Sequence, residues 1–448
     1  MEKTTNSYHL ISLGCAKNTV DSDSMAQLLE ADGYQVSPNA ENADVLIVNT
    51  CGFIESAREE SYGVLRTLAE NKKAGQILIA AGCLTQRYGT EVAEHVKGID
   101  GIMGTRRWMD IVKVIKEVRS SDHPEPKYHL PETAVVGSDE QGTLRASIMG
   151  TSAYLKIADG CRRPCTFCAI PLIKGTTVSR PLNSILNEAK ELRDSGLREL
   201  ILIAQDTTDY GHDLGMKDGL AVLLERLTKE TPEIDWIRIM YAYPGYVTDR
   251  LIDVMSSNRQ ILSYLDIPLQ HAHPDMLKRM RRPANINWVY KTLEKMRSTI
   301  PDLAIRTTFI VGFPGETDQE FDALKNFIKE IRFDRVGTFK FSFEPGTTSE
   351  PLGDPISNET KEARYQELME TQQTISLQIN QGYVGKNLDV LIEGIDKKQG
   401  ISIGRSYRDA PEIDGMVIVE GKAESGSIVP VHISSAMAYD LVGSLNKS

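Results

Sequence analysis

The chain has 448 residues, 41% hydrophobic and 25% charged, which is ordinary for a globular protein of two or three domains. Its formal net charge of -11 argues against a simple nucleic-acid binder, which would present a basic face, and is compatible with a basic partner. No run of about 18 apolar residues occurs and no signal peptide precedes Tyr8-His9-Leu10-Ile11, so a cytoplasmic protein without membrane contact is expected.

Residues 1–120 alternate strand and helix. Residues 9–13 read as a strand ending at Gly14-Cys15, and 21–31 as a helix stopped by Gly33. Residues 44–50 form an apolar strand running into Cys51, 55–71 a helix, and 76–81 a third strand ending at Gly82-Cys83. Weaker strand and helix signals follow at 101–104 and 108–118. This alternation predicts an open parallel α/β sheet with helices on both faces. Cys15, Cys51 and Cys83 each end a strand, and in such a sheet those ends share one edge, where ligands bind. They are predicted to meet as a three-cysteine iron–sulfur site; the alternative is three small buried residues that happen to end strands. Residues 121–146, with Pro124, Pro126, Pro131 and a polar run at 137–142, have the composition of a linker.

A second domain is expected over 147–373. A strand at 153–158 leads into Gly160-Cys161-Arg162-Arg163-Pro164-Cys165-Thr166-Phe167-Cys168. Three thiolates at this spacing can hold three irons of a 4Fe–4S cluster and leave the fourth iron free. Structural zinc sites pair their cysteines differently, and a disulfide framework fails on the odd count. A helix at 181–195 and strands at 200–204, 236–240, 264–267, 305–311 and 335–341 complete six β/α units. Six are too few for a closed eight-stranded barrel and suit an open, partial one, whose chemistry sits in the loops after the strands. Those loops carry Gln205-Asp206, Tyr241-Ala242-Tyr243-Pro244, residues 268–273 with His271, and Gly312-Phe313-Pro314-Gly315-Glu316. Gly312 and Gly315 serve either a turn or close backbone approach to a ligand. Arg238 and Arg306 lie inside strands, so each needs a carboxylate partner from protein or ligand. The basic run at 278–282 reads as a solvated helix end, the alternative being a substrate or electron-donor contact.

From 374 to 448 the pattern changes to short strands at 388–393, 401–405, 416–419 and 427–433, which read as a small OB-like β-barrel. This part carries 7 Lys+Arg against 9 Asp+Glu, with Tyr383, Tyr407 and Tyr439 as its aromatics. An RNA-binding barrel should lean basic and expose aromatics, so a basic protein loop is the better-matched partner.

These motifs reach a family. Residues 160–168, including Phe167, resemble the radical S-adenosylmethionine (radical SAM) signature; Ala169-Ile170-Pro171 and Ser179-Arg180-Pro181 narrow the likeness to methylthiotransferases. Residues 12–18, 49–53 and 81–84 are similar to the three cysteine motifs of that family's N-terminal domain, and the C-terminal barrel resembles its TRAM domain. Residues 405–415 resemble the branch acting on a ribosomal protein. One departure is Lys174-Gly175, where relatives carry Arg-Gly; the charge is kept and the bidentate geometry is lost.

The resemblance implies a transferase that replaces a β-carbon hydrogen of one aspartate, in protein twelve of the small ribosomal subunit, with a methylthio group. It implies two 4Fe–4S clusters, on Cys15, Cys51 and Cys83 and on Cys161, Cys165 and Cys168, and two SAM molecules per turnover. Phe167, Gln205, Arg238, Arg306, Gly312 and Glu316 are the implied SAM contacts. A monomer served by a flavodoxin-type or similar electron donor is expected, without a tRNA substrate. Such a C–H bond is unactivated, so acid–base chemistry at neutral pH cannot break it, whereas a cofactor-derived carbon radical can. The rivals are the same chemistry on an adenosine beside a tRNA anticodon, and a non-catalytic iron–sulfur scaffold. The acidic C-terminal barrel counts against the first; the SAM-type spacing with a barrel pattern counts against the second.

Overall fold

The computed structural model describes residues 6–121, 125–132 and 142–445. The first sheet contains β1 (Ser7–Ser12), β2 (Gln35–Val36), β3 (Val45–Thr50), β4 (Ile77–Gly82), β5 (Gly101–Gly104) and β6 (Lys127–His129). Their order is β2-β1-β3-β4-β5-β6, with every neighbour parallel. Strand β3 is buried along its whole length, as a continuous apolar run in a two-faced parallel sheet should be. Met25, Leu29, Val114 and Ile115 from helices Ala16–Ala31 and Ile111–Arg119 cover one face. Tyr62 and Leu65 from helix Glu55–Asn71 cover the other.

Two differences from expectation have local causes. Helix Ala16–Ala31 begins five residues early because Asn18, Asp21, Ser22 and Ser24 are buried, which breaks the apolar stripe that marks a helix. Strand β6 falls inside the stretch expected to be a linker; within that stretch, 122–124 and 133–141 lie outside the described residues.

The second sheet contains β7 (Ala146–Met149), β8 (Ser152–Lys156), β11 (Glu199–Ile203), β12 (Trp236–Ile239), β13 (Ile261–Asp266), β14 (Ala304–Val311) and β15 (Arg335–Lys340). Between β8 and β11, β9 (Ala158–Asp159) and β10 (Val178–Ser179) pair with each other. The order β15-β14-β13-β12-β11-β8-β7 does not close on itself, so this is the expected open barrel of six parallel strands, with β7 as an antiparallel edge. Helices pack outside, and Ile201, Ile203, Trp236, Met240, Tyr264 and Ala304 fill the inside.

Strands β16 (Asn387–Asp396), β17 (Ile401–Ser406), β18 (Val417–Glu420), β19 (Ile428–Ala436) and β20 (Leu441–Leu445) form a closed barrel around Val390, Val417, Val431 and Ile433. The expected boundary at 373/374 falls inside one 24-residue helix, Asn358–Gln381. Its buried polar groups tie the units together: Gln372 donates to the Phe333 carbonyl at 2.7 Å, and Asn380 to the Met437 carbonyl at 3.0 Å.

The segment between β17 and β18 plugs the open barrel from the side of the strands' amino ends. Arg405 and Arg238 share Glu199, at 2.6 and 2.8 Å. Arg238 also donates to the Tyr407 carbonyl at 2.8 Å, Arg335 pairs with Asp409 at 2.6 Å, and the Tyr264 hydroxyl donates to Asp414 at 2.7 Å. Of the residues that marked the ribosomal-protein branch, Glu412 and Ile413 are exposed, whereas Arg405, Arg408, Asp409 and Asp414 turn inward and form no part of an outer charged face.

Burial alone would push the Glu199 carboxyl up, but Arg238 and Arg405 bring it down to about 2. A carboxyl depressed on folding stabilises above its unfolded value and loses that contribution as pH falls to the folded one. Docking should therefore weaken by about 3 kcal/mol between about pH 4.5 and pH 2. Acid titration followed by tryptophan fluorescence, compared with Glu199→Gln, checks this; equal acid midpoints for the two proteins would refute it.

Candidate functional site

Strands β1, β3 and β4 are adjacent, so their carboxyl ends bring Cys15, Cys51 and Cys83 to one edge. Cys15 caps helix Ala16–Ala31, and Cys83 opens the short helix Cys83–Tyr88. Glycine is required beside them. At Gly14, φ is 94° and an added Cβ would lie 2.9 Å from the Cβ of Cys51; at Gly82, φ is 105° and it would lie 2.4 Å from the Asn49 side-chain oxygen. Asn18 fastens the strand ends, its amide donating to the carbonyls of Leu13 at 2.6 Å and Asn49 at 3.2 Å.

The second set follows β8 and β9. Cys161, Cys165 and Cys168 line a cavity of about 390 Å³ with Arg162, Pro171 and Arg281 on its rim. A larger one, about 760 Å³, opens between Trp236, Pro301, Tyr383 and Lys386, against the C-terminal barrel and away from the cysteines. Burial pushes the Cys83 and Cys168 thiols up to about 12 and Cys161 to about 11. Thiolates there need a strong positive centre to hold them.

Three contacts hold the first sheet over the mouth of the second. Asp21 is buried among Arg145, Lys156 at 2.7 Å and Lys174 at 2.8 Å, which hold its carboxyl well below the usual range against the upward push of burial. Lys174 gives its ammonium three acceptors: Thr105 at 2.6 Å, Asp21, and Asp159 at 3.1 Å. A compact cation with three donors suits this convergence, which gives lysine a reason at this position. Across the mouth, Glu344 takes Arg87 at 2.6 Å together with Arg58. Arg87 also holds the carbonyl of Gly52, the residue after Cys51, at 2.9 Å. Arg106 donates to the carbonyls of Ile173 and Leu172, at 2.9 and 3.0 Å, in the helix that follows Cys168.

The expected cofactor contacts divide. Gln205 donates to Asp159 at 2.9 Å while its buried side-chain oxygen has no partner, nor has that of Gln270 in the loop after β13. Both await a donor. Phe167 is partly buried against Met276, Met280, Phe313 and Phe341. Arg238 has its carboxylate in Glu199, and Arg306 has Asp266 at 3.1 Å and Asp414 at 3.3 Å, so the protein supplies both partners. Glu316 turns back into its loop, accepting from the Gly312 N–H at 2.7 Å, Arg364 at 2.6 Å and His271 at 3.1 Å. Gly312 and Glu316 thus shape the loop through each other.

The sequence reading missed Arg282. It is buried, with its guanidinium 3.5 Å from the Cys165 sulfur and 4.1 Å from the centre of the Tyr243 ring. The basic run is therefore not simply a solvated helix end: Arg281 is exposed, and Arg282 turns to the cysteines. The helix Pro274–Arg279 ends before Arg282, and Pro283, which bars a helical Arg282, was the available signal.

Three family models match: an uncharacterized protein family, UPF0004, over 7–104, the radical SAM superfamily over 155–328, and the TRAM domain over 384–445. A relative from Chloroflexus aurantiacus named ribosomal protein uS12 methylthiotransferase RimO is 48% identical, covering 97% of this chain and 99% of its own. One of the same name from Roseiflexus sp. is 44% identical, over 98% and 97%. This chain belongs to the RimO family. Among solved structures, the radical SAM methyltransferase TsrM from Kitasatospora setae, with cobalamin and a 4Fe–4S cluster bound, matches with a TM-score of 0.55. It is 12% identical and covers 78% of this chain and 74% of its own, a likeness of fold.

The residues of this RimO-family chain fit the cofactors that the superfamily uses. Within each triad the sulfurs act on one another electrostatically. Yet among the described residues no three His, Cys, Asp or Glu groups converge on a single ion. A cluster offers each thiolate its own iron and suits that spacing; one tetrahedral zinc does not. The unpartnered oxygens of Gln205 and Gln270 suit the amino groups of SAM. Among the described residues no helix is long and apolar enough to cross a membrane.

Proposed function

We propose that this chain transfers a methylthio group to the β-carbon of an aspartate in ribosomal protein uS12. The observation that carries this is the pairing of two three-cysteine sets across one latched cleft, in a chain matching relatives of that name over nearly its full length. When bound, the two clusters and SAM would supply the carbon radical, the sulfur and the methyl group.

The chain's own residues hold and shield. Cys161, Cys165 and Cys168 would take one cluster and Cys15, Cys51 and Cys83 the other, each set leaving one iron open. Asp159, held by Lys156 and Lys174, orients Gln205 toward the cleft. The Asp21 and Glu344 contacts keep the two cysteine sets facing each other and limit water between them. Exposed Arg281, on the rim of the Cys161 cavity, offers an acidic electron donor of flavodoxin type a point of approach. The same reading makes the chain a cytoplasmic monomer.

The test is an anaerobic incubation of reconstituted enzyme with SAM, reductant and sulfide. The substrate is either the aspartate-bearing loop of uS12 or unmodified tRNA. Mass spectrometry should show one added methylthio group on the protein loop alone. Addition to tRNA alone would overturn the substrate.

A further inference from the structure

We propose that Lys17 receives the side-chain carboxylate of the substrate aspartate, placing its β-carbon in the cleft and selecting an anionic side chain. The inference rests on the aspartate reading above.

Lys17 stands two residues after Cys15, in the first turn of helix Ala16–Ala31. Its side chain crosses from the first sheet to the barrel. The ammonium lies 3.1 Å from the centre of the Tyr241 ring, just past β12 at the barrel mouth. Tyr241 has a φ of 60°, a left-handed conformation that costs a bulky residue energy and persists only where its surroundings fix it. Here its N–H is fastened to Asp266 at 3.1 Å.

Lys17 is partly buried, and among the described residues no carboxylate oxygen lies within 4.0 Å of its ammonium. The cations around it are engaged: Lys156 and Lys174 on Asp21 and Asp159, and Arg306 on Asp266 and Asp414. The Tyr241 ring steadies the charge by its quadrupole but leaves ammonium donors to offer. Cys15 and Asp266 act on Lys17 without an ion pair at contact distance, and a half-buried cation so placed favours a ligand that brings a carboxylate into contact. A carboxylate on Lys17 would set the adjoining carbon between the Cys15 edge and the barrel mouth. A neutral base would gain no ion pair there, so the same contact discriminates by charge.

The test uses cluster-loaded enzyme without reductant, so that binding is read apart from turnover. Labelled uS12 loop peptides carry aspartate or asparagine at the target position, and fluorescence anisotropy gives the Kd. The parent should bind the aspartate peptide about tenfold tighter or better, as a charge-assisted hydrogen bond provides. Lys17→Met should bring the two peptides within about twofold, while Lys17→Arg keeps most of the preference. Equal weakening of both peptides by Lys17→Met would make Lys17 a strut for Tyr241 and overturn the proposal. So would a rise in the Kd for SAM exceeding the loss of peptide affinity, since the carboxylate would then be that of SAM. A parent indifferent to aspartate or asparagine overturns it without any variant. A parent that binds neither peptide sinks the aspartate reading itself, and Lys17 with it.

Discussion

Alanine at Cys161, Cys165 or Cys168 should abolish reductive cleavage of SAM, whereas Cys51→Ala should still cleave SAM and fail to transfer sulfur. The two sets sit on different scaffolds, one in a loop after β8 and β9, the other on the edge made by β1, β3 and β4. With two thiolates in place of three, a cluster loses a corner of its support. Bound iron should fall by about half in either class of variant, since each set holds its own cluster. Counting 5′-deoxyadenosine and methylthio product separately reads the two functions. Full methylthio product from Cys51→Ala would remove the second site from the mechanism.

Asp21→Ala should destabilise the chain by about 3–5 kcal/mol, far more than a surface charge would. Asp21 is about 1% exposed, and its removal takes one carboxylate from Arg145 and leaves Lys156 and Lys174 sharing Asp159. Uncompensated buried cations cost more than the ion pairs themselves contribute. Urea titration should show the loss as a lower midpoint, with the first sheet separating from the barrel mouth before the barrel melts. A change under about 1 kcal/mol would mean that water already reaches the network.

Much of this architecture was readable because apolar runs and strand ends are local features. Gly14-Cys15, Thr50-Cys51 and Gly82-Cys83 each close a strand, and parallel topology does the rest. What stayed hidden depends on partners distant in the chain. Lys127–His129 has no apolar run; it becomes a strand because β5 offers an open edge. Arg238 showed its need for a carboxylate, but not that Glu199 and the Tyr407 carbonyl, 169 residues away, would answer it. Helix Asn358–Gln381 buries Gln372, Ser376 and Asn380, so no apolar stripe announced that it would bridge two units. Lys174 was visible as a departure, and only the convergence of Thr105, Asp21 and Asp159 gave it a reason.

The plug between β17 and β18 also sets an order of maturation. Both cysteine sets are complete by Cys168, yet the side chains that close the barrel from below are made only after all six parallel strands that they seal. Until then Arg335 lacks Asp409, Arg306 lacks Asp414, and Tyr264 has no acceptor for its hydroxyl. Chains fold from their amino end as they are made, so the nascent barrel passes through a stage with a wet, charged interior. A chain released early keeps every cysteine and never dries its core. Sealing of the reaction chamber is thereby enforced by a segment that carries none of the cysteines.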